Sequence, residues 1–385
     1  MQRHTVWIMA ICSGAAVANL YYNQPLLEII QQKFHASAHA TGLIPMFTQI
    51  GYALGIFLLV PLGDLHERRS LIVTMLGLTT VALAAAAISP SLTWLLVASC
   101  AIGITTITAQ LIIPLAAQLA QPQERGKVVG MVMSGVLIGI LLARTISGFV
   151  GASLGWRAMY WLASGLMVVL AVTLSKFLPK SQPSLQVSYS RLIGSLFQLM
   201  QQRVLREASL AGAMSFAAFN VFWSTLVFLL AQPPFYYGSE VTGLFGLVGV
   251  VGAIAAPLVG RLADKRSPKL TVGLGLIMTT LSFVLLLSFK YQLFGLIVGI
   301  ILLDLGVQTT MISNQARIYS LPKYLHSRLN AIYVTFYFMG GALGSFLGTY
   351  AWSRWQWQGV CLVALMMLAV AFTTFLPQQS NNESQ

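Results

Sequence analysis

Charged residues and cysteine are scarce in this chain. Asp, Glu, Lys and Arg together account for 8% of its 385 residues, and only three residues are cysteine. Cys12, Cys100 and Cys361 stand far apart inside apolar runs and lack the spacing of metal ligands. We interpret them as small buried hydrophobes, so they do not indicate a metal centre.

The sequence also lacks the motifs that would indicate an enzyme or an ATP-driven machine. No GxxxxGK[ST] phosphate-binding loop is present, and no cluster of His, Cys or acidic residues suggests catalysis or metal binding. None of the five histidines lies in the middle of an apolar run, which argues against a proton relay through imidazole groups. The sequence therefore predicts no enzymatic activity, no catalytic residues, no metal and no cofactor.

Apolar residues dominate instead. They make up 57% of the chain, and the mean hydropathy is +0.78, outside the usual range for soluble domains. A bilayer core needs about 20 apolar residues per helix, and twelve such runs can be drawn. The predicted spans are 6–30, 40–62, 70–89, 93–119, 127–150, 157–178, 208–232, 241–262, 270–289, 293–317, 329–351 and 358–376. The sequence predicts an all-α polytopic membrane protein.

Basic residues orient these spans. Of the 22 Lys and Arg residues, seventeen fall in cytoplasmic segments if the N-terminus is inside, four fall on the other side, and Arg144 lies within a span. Both termini are therefore expected in the cytoplasm. The formal net charge of +13 is spread over separate loops, which argues against a nucleic-acid partner.

The chain repeats itself. PLGDLHERR at 61–69 and GRLADKRSPK at 260–269 share a Leu-small-Asp pattern followed by basic residues, and each follows an apolar run. We predict two six-helix pseudo-repeats, with bundles at 1–178 and 207–377, a cytoplasmic linker at 179–206 and a disordered tail at 378–385. A cleavable signal peptide at the N-terminus is the alternative for the first span, but it would leave eleven spans and break the repeat.

The linker carries its own helical pattern. Apolar residues recur at helical spacing and polar residues supply the other face, which predicts an amphipathic helix. We expect its apolar face to lie among the lipid headgroups; a partner-binding site is the alternative. The apolar positions are Leu192, Ile193, Leu196, Phe197, Met200 and Val204.

The two-part pattern and the loop motif resemble the major facilitator superfamily over essentially the whole chain, in particular its drug:proton antiporter branch. That resemblance implies a twelve-helix fold with a central cavity lined by spans 1, 4, 7 and 10. Three features depart from the family pattern: Glu67 replaces a loop glycine, Ala143-Arg144 replaces the usual Gly-Pro of span 5, and Ser99 replaces an arginine of span 4.

The loop acids are candidate gate residues. Asp64 and Asp264 lie at helix C-termini, where the helix dipole disfavours a carboxylate without a partner. Nearby basic residues could supply that partner, and so could the N-terminus of a helix in the other half. The resemblance implies the second arrangement, which latches the cytoplasmic side. The predicted gate residues are Asp64, Arg68, Arg69, Asp264, Lys265 and Arg266.

Few charged residues fall within the spans, and such residues are usually functional. Asp304 is the only acid in the middle of a span, and Arg144 lies at a depth that differs from it by roughly 8 Å at 1.5 Å per residue. We predict that Asp304 and Arg144 pair in one conformation and separate in the other, so that Asp304 carries protons. A static pair is the alternative, and Glu28 is the next candidate carrier.

Polar and aromatic side chains within spans indicate a solute cavity, because amides avoid lipid. An aromatic cavity with few charges suits an amphipathic organic solute. The predicted cavity residues are Asn19, Tyr22, Asn23, Gln24, Gln110, Phe216, Phe219, Asn220, Trp223, Gln308, Tyr333 and Tyr337.

The sequence and the resemblance together predict a secondary transporter in the inner (plasma) membrane, embedded in the lipid bilayer as a monomer. We expect proton-coupled efflux of small organic molecules, so the partners are a small-molecule substrate and protons. The alternatives are a proton-coupled uptake symporter and a sensor or lipid-handling protein on the same scaffold.

Overall fold

The computed structural model describes residues 3–121, 123–180, 188–249, 267–322 and 325–375, and all regular structure within them is helical. The helices in chain order are α1 (Arg3–Ala18), α2 (Leu27–Phe34), α3 (Ala38–Leu59), α4 (Leu62–Leu65), α5 (Arg68–Ala87), α6 (Leu92–Thr105), α7 (Thr108–Leu119), α8 (Arg125–Leu154), α9 (Trp156–Phe177), α10 (Tyr189–Leu199), α11 (Arg203–Trp223), α12 (Leu226–Leu230), α13 (239–249), α14 (Pro268–Ser288), α15 (Leu293–Tyr319) and α16 (His326–Phe372).

Nine helical stretches among these described residues are long and apolar enough to cross a bilayer. The first predicted span is divided between α1 and α2, and most of the eighth lies outside the described residues. The last two predicted spans run together in α16, which has a non-helical residue, Gln356 (φ 52°, ψ −151°), at the predicted loop. The twelve-span layout is compatible with these stretches and stays a prediction.

Helix α8 shows how sequence periodicity sets the faces of a spanning helix. Ile138, Leu142, Ile146 and Phe149 follow one another at intervals of four, four and three residues, and all four are exposed on the outside of the bundle. The adjoining face carries glycines where α8 crosses α1, and a Cβ on Gly139 would lie 2.1 Å from the Gly14 carbonyl oxygen. Apolar residues thus face the bilayer, while glycine lets two backbones touch.

Two of the long stretches are broken near their middle. The first breaks after α1, where the backbone amides of Asn19, Leu20 and Tyr21 bond to the third preceding carbonyl instead of the fourth. Pro25 cannot continue an α-helix because it lacks an N–H group and its ring crowds the preceding turn. A second break separates α6 from α7 at Thr106 and Ile107. These breaks redirect the side chains that follow them.

The linker contains the predicted amphipathic helix, now observed as α10. Its apolar face does not lie free for lipid headgroups, because Leu192 and Leu196 are buried against the protein, whereas Phe197 is 58% exposed. The Tyr189 hydroxyl donates to the Leu58 carbonyl at 2.7 Å, and Arg328 donates to the Ser195 hydroxyl at 3.2 Å. Helix α10 therefore connects α3 to α16.

Candidate functional site: a cavity open at one face

One end of the bundle collects arginines at helix ends, and we call it the basic face. It carries Arg68, Arg69, Arg203, Arg317 and Arg328. A cavity of about 620 Å³ extends from this face, where Asp64, Arg68 and Arg328 line it, to Arg144 and Asp304 in the interior. Leu192 and Leu196 of α10 also line it.

Beyond the cavity, toward the opposite face, helices of the two halves meet. The Ser239 hydroxyl donates to the Gly148 carbonyl at 3.0 Å, and the Thr145 hydroxyl donates to the Gly243 carbonyl at 3.0 Å. A Cβ on Gly42 of α3 would collide with the Thr349 side chain of α16. The structure is thus open at the basic face and closed at the opposite face.

Six of the twelve predicted cavity residues line this space. They are Gln110, Phe216, Phe219, Gln308, Tyr333 and Tyr337. The rings form a continuous surface, since Tyr337 stacks on Phe216 with centroids 4.0 Å apart and Phe216 stacks on Phe219 at 5.5 Å. Gln110 donates to the Tyr52 hydroxyl at 3.2 Å.

The other six do not line the cavity in this conformation. They are Asn19, Tyr22, Asn23, Gln24, Asn220 and Trp223, and all are buried. Several hold the wall from behind: the Asn23 amide donates to the Thr48 hydroxyl at 3.3 Å, and the Asn220 amide donates to the Phe216 carbonyl at 2.9 Å. Asn220 also accepts a hydrogen bond from Gln49 of α3.

Sequence reasoning missed further wall residues, among them Tyr21, Tyr52, Phe338 and Arg328. Tyr21 lies in the irregular segment after α1, where helical periodicity no longer tells which side chain points inward. Tyr52 and Phe338 meet edge to face with centroids 4.5 Å apart, which brings α3 against α16. The signal available in the sequence was an aromatic side chain within a predicted span, the same feature that identifies Phe216, Phe219 and Tyr337.

Arg144 is the largest fully buried side chain, with 1% of its surface exposed. Its Nε donates to the Gln24 side-chain carbonyl at 2.7 Å. The guanidinium carbon lies 4.1 Å from the ring centroid of Trp223, 5.0 Å from that of Tyr21 and 5.5 Å from that of Phe219. An amide and three ring faces therefore hold the cation, while Nη2 has no hydrogen-bond partner.

Asp304 of α15 is also buried, with 4% of its surface exposed, and its Oδ2 has no hydrogen-bond partner. Helix α13 passes so close that a Cβ on Gly249 would lie 2.9 Å from that oxygen. Any residue larger than glycine at 249 would displace the carboxylate. Gly249 is thus a further site residue that the sequence did not single out.

Arg144 and Asp304 line one cavity yet form no ion pair within 4.0 Å in this conformation. Each leaves one atom without a hydrogen bond among the described residues. Burying a charge without a partner is costly. The two buried groups are therefore candidate partners that stand apart in this conformation.

Glu28 lies away from the main cavity, on α2 beyond the break in the first span. It is half-buried and accepts a hydrogen bond from Gln32 one turn later. It lines a second, smaller cavity of about 210 Å³ together with Phe228 and Trp352.

The gate residues of the first half lie at the mouth of the main cavity or beside it. Arg68 donates to Asp64 at 2.8 Å and to the Gly63 carbonyl at 2.9 Å. Arg69 instead binds backbone carbonyls at the end of α9, including that of Leu178 at 3.1 Å. Glu67 accepts hydrogen bonds from the first backbone amides of α5, so this departure from the family loop makes a helix cap.

Asp264, Lys265 and Arg266 lie outside the described residues. On the second half of the basic face, Glu207 of α11 forms salt bridges with Arg317 at 2.7 Å, Arg203 at 2.9 Å and Lys269 at 3.6 Å. One acid thus ties α11 to α14 and α15. Among the described residues, no group of three His, Cys, Asp or Glu residues could hold a metal ion.

A helical bundle with a cavity between two halves and charges in its interior has the architecture of a membrane transporter, and the comparisons with known proteins agree. The family model of the major facilitator superfamily matches residues 6–323 and 208–384. The chain belongs to the major facilitator superfamily. Among its relatives is the transporter YgaY of Escherichia coli K12, 42% identical over 97% of this chain and 96% of the relative.

Solved structures of transporters share the fold at low sequence identity. A bacterial homologue of the human lysosomal transporter Spinster, in an inward-facing and unoccupied conformation, superposes with a TM-score of 0.77 at 13% identity and covers 96% of both chains. The nucleoside transporter NupG superposes with a TM-score of 0.75 at 12% identity, covering 96% of this chain and 98% of NupG. The protein is therefore a multi-pass membrane transporter of the major facilitator type.

Proposed function

We propose that this protein is a secondary active transporter that moves small amphipathic organic solutes out of the cell in a proton-coupled cycle. The basic face is the cytoplasmic face of the inner membrane, and both termini lie on that side. Residues 1–178 and 207–377 form two six-helix bundles that rock about the central cavity, joined by the linker 179–206 and followed by the tail 378–385. A single chain contains the complete pathway.

The observation that carries this proposal is the separation of Arg144 from Asp304. Each lies on a different half, α8 or α15, both line the cavity, and no ion pair joins them while the basic face is open. A carboxyl group in a largely apolar site without its cation favours the protonated form. The open conformation therefore suits a protonated Asp304.

Closure of the basic face supplies the other half of the cycle. When the bundles rock, Arg144 and Asp304 approach, the ion pair favours the carboxylate, and the proton leaves. A ligand shifts such an equilibrium only by its differential affinity for the two conformations. Here the ligand is the proton, which binds Asp304 more tightly in the open conformation than in the closed one.

The gate residues fit the same cycle. Asp64 bonds to Arg68 in the open conformation, and on closure we propose that it turns toward the N-terminus of α16, whose positive dipole end favours a carboxylate. Asp264, with Lys265 and Arg266, takes the corresponding place toward the start of α8. The two contacts together hold the cytoplasmic face shut.

The cavity supports the choice of solute. Aromatic and aliphatic side chains line most of it, with amides at Gln110 and Gln308 and charged groups at its two ends. A volume of about 620 Å³ lies within the range of drug-sized binding sites, roughly 300–1,000 Å³. The cavity opens at the basic face, which is the proposed cytoplasmic side. A solute can therefore enter it from the cytoplasm, as export requires.

The test uses everted membrane vesicles with an imposed pH gradient and a panel of radiolabelled amphipathic solutes, read out as solute flux and proton flux. Asp304→Asn should abolish pH-driven transport while solute exchange survives. Glu28→Gln is the matched control and should keep coupling. Retained coupling in a folded Asp304→Asn protein would exclude Asp304 as the carrier and transfer the role to Glu28, and pH-driven solute movement in the uptake direction would refute export.

A further inference from the structure

The surroundings of Arg144 define a receptor for an anion. Gln24 fixes the Nε edge of the guanidinium at 2.7 Å, and the rings of Trp223, Tyr21 and Phe219 hold the cation from its sides at 4.1–5.5 Å. These contacts fix the plane of the group before any ligand arrives. Within the described part of the chain Nη2 has no hydrogen-bond partner, although the side chain is 99% buried and forms part of the cavity wall.

A planar guanidinium with free N–H groups matches a carboxylate, which accepts two parallel hydrogen bonds. Among the described residues the only buried acid facing the cavity is Asp304, and it lies beyond 4.0 Å. The open cavity therefore presents an ordered cation whose natural partner is absent. A solute carboxylate can occupy that place.

The remaining charges of the cavity also favour an anion. The described titratable groups along the wall are the bases Arg68, Arg144, Arg328 and His326, the acids Asp64 and Asp304, and the phenols Tyr21, Tyr52, Tyr319, Tyr333 and Tyr337. Asp64 is bonded to Arg68, and among the described residues Arg328 bonds to the neutral hydroxyl of Ser195. Arginines thus stand at the entrance and at the inner end, where they attract an anion from the basic face.

An apolar surface lies beside Arg144. Phe219 belongs both to the set of rings around the guanidinium and to the Tyr337–Phe216–Phe219 stack. A ligand held at Arg144 by a carboxylate can therefore place an apolar or aromatic body on that stack without leaving the cavity. The two binding elements are adjacent.

We infer that the transported solute is an amphipathic organic monoanion, whose carboxylate binds the Arg144 guanidinium and whose apolar body lies on the Phe216–Phe219–Tyr337 surface. This inference rests on the proposed function, since the site is the transport cavity itself. It adds the chemical class of the solute.

The solute carboxylate and the Asp304 carboxylate are alternative partners of one guanidinium. In this conformation Asp304 lies beyond 4.0 Å, so Arg144 can receive an anion that enters from the basic face.

The binding test uses the purified full-length protein and three probes that share one carbon skeleton, 4-phenylbutyrate, 4-phenylbutyramide and 4-phenylbutylamine. The acid should raise the melting temperature by at least about 2 °C at 10 mM, as expected of a ligand that binds only the folded state. The amide and the amine should not. Equal stabilisation by the amide or by the amine would overturn the inference, and this comparison needs only the wild-type protein.

Variants locate the anion. Arg144→Gln should weaken binding of 4-phenylbutyrate at least tenfold, and Arg144→Lys should restore only part of it because a point charge cannot form the bidentate contact. Arg157→Gln is the matched control, since Arg157 also lies over a tryptophan, Trp156 at 4.3 Å, but does not line the cavity. Undiminished binding to a folded Arg144→Gln protein would place the anion elsewhere and refute the assignment.

The coupling test needs an anion that cannot cross lipid as a neutral acid, so it uses 3-phenylpropane-1-sulfonate in proteoliposomes. An imposed sulfonate gradient should drive protons against the sulfonate, as the proposed efflux requires and as a pH-sensitive dye reports. Proton movement with the sulfonate would refute the proposed export and leave the anion site in place. Anion binding without any proton movement would contradict the proposed proton coupling and support the anion site, so the two failures are distinguishable.

Discussion

Two helix pairs, α1 with α8 and α11 with α16, are packed in the same way and differ in charge at one matching position. A Cβ on Gly135 or Gly139 would meet the carbonyl oxygen of Ala10 or Gly14 at 2.1–2.2 Å. Glycines of α16 show the same contact with α11, since a Cβ on Gly340 or Gly344 would lie 2.1 Å from the carbonyl oxygen of Ala213 or Ala217. The spacing of four residues is identical on both sides.

Five residues beyond the second glycine, the pairs diverge. That position is Arg144 in α8 and Thr349 in α16. Arg144 reaches across to Gln24, whereas Thr349 returns its hydroxyl to its own helix, bonding the Ser345 carbonyl at 2.8 Å. The comparison teaches that one packing scheme accommodates both a structural contact and a buried charge, so the charge is not required by the packing.

The largest expected effect comes from making the two pairs alike. Arg144→Thr should lower solute transport at least about 30-fold, because removing one member of a buried charge pair costs about 2–5 kcal/mol and each 1.4 kcal/mol is a factor of ten. Thr349→Val removes a hydroxyl that, among the described residues, bonds only within its own helix, and it should change transport less than about twofold. Initial rates in vesicles measure both; a similar loss in the two variants would show that the position, and not the charge, matters.

The next largest effect is expected from forcing apart the helices of either pair, α1 with α8 or α11 with α16. Gly139→Ala and Gly344→Ala should each destabilise the protein by about 1–3 kcal/mol, since the added carbon meets backbone that cannot move aside. Thermal unfolding in detergent measures the loss. Gly130→Ala is the control on α8, because a Cβ there has nothing within 4 Å and alanine favours a helix. If Gly139→Ala were as stable as Gly130→Ala, the close crossing would be absent in solution.

The halves also differ on the basic face, where Glu207 binds three cations of the second half while Asp64 binds Arg68 in the first. Glu207→Gln should lower the free energy of unfolding by about 1.5–3 kcal/mol, the range for hydrogen bonds to charged groups. Arg203→Gln removes only the most exposed of the three cations and should cost less than about 0.5 kcal/mol. Equal losses would indicate that the cluster acts as a surface ion pair.

The smallest effect is expected at Asp64, the acidic gate residue of the first half. Asp64→Asn should shift the population toward the conformation open at the basic face by about two- to fivefold, since the contact proposed with the N-terminal dipole of α16 in the closed conformation is worth about 0.5–1 kcal/mol. Labelling of a cysteine introduced at Leu137, on the cavity wall, measures the shift. Glu124→Gln, at an exposed acid that does not line the cavity, should leave labelling unchanged; unchanged labelling in Asp64→Asn would argue against the latch.

The candidate site was only partly predictable. Arg144 and Asp304 could be found from sequence because a charge inside an apolar run is rare and costly, and the structure places both on one cavity. Trp223 and Gln24 were chosen as solute contacts, yet they hold Arg144. The sequence predicts Tyr22 as a cavity residue, whereas Tyr21 lines the cavity, because helical periodicity fails where the chain unwinds at Asn19.

The sequence by itself determined the membrane environment, the helical class, the internal repeat and which few residues carry charge inside the bilayer. These are local properties, since hydropathy over about 20 residues and the spacing of glycines along one helix need no knowledge of neighbours. Only the tertiary structure decided that Arg144 and Asp304 stand apart, that α10 turns Leu192 and Leu196 into the cavity, and which face is open. Those outcomes depend on how helices from the two halves pack around breaks in the spans, and a break has no periodicity from which to read a direction.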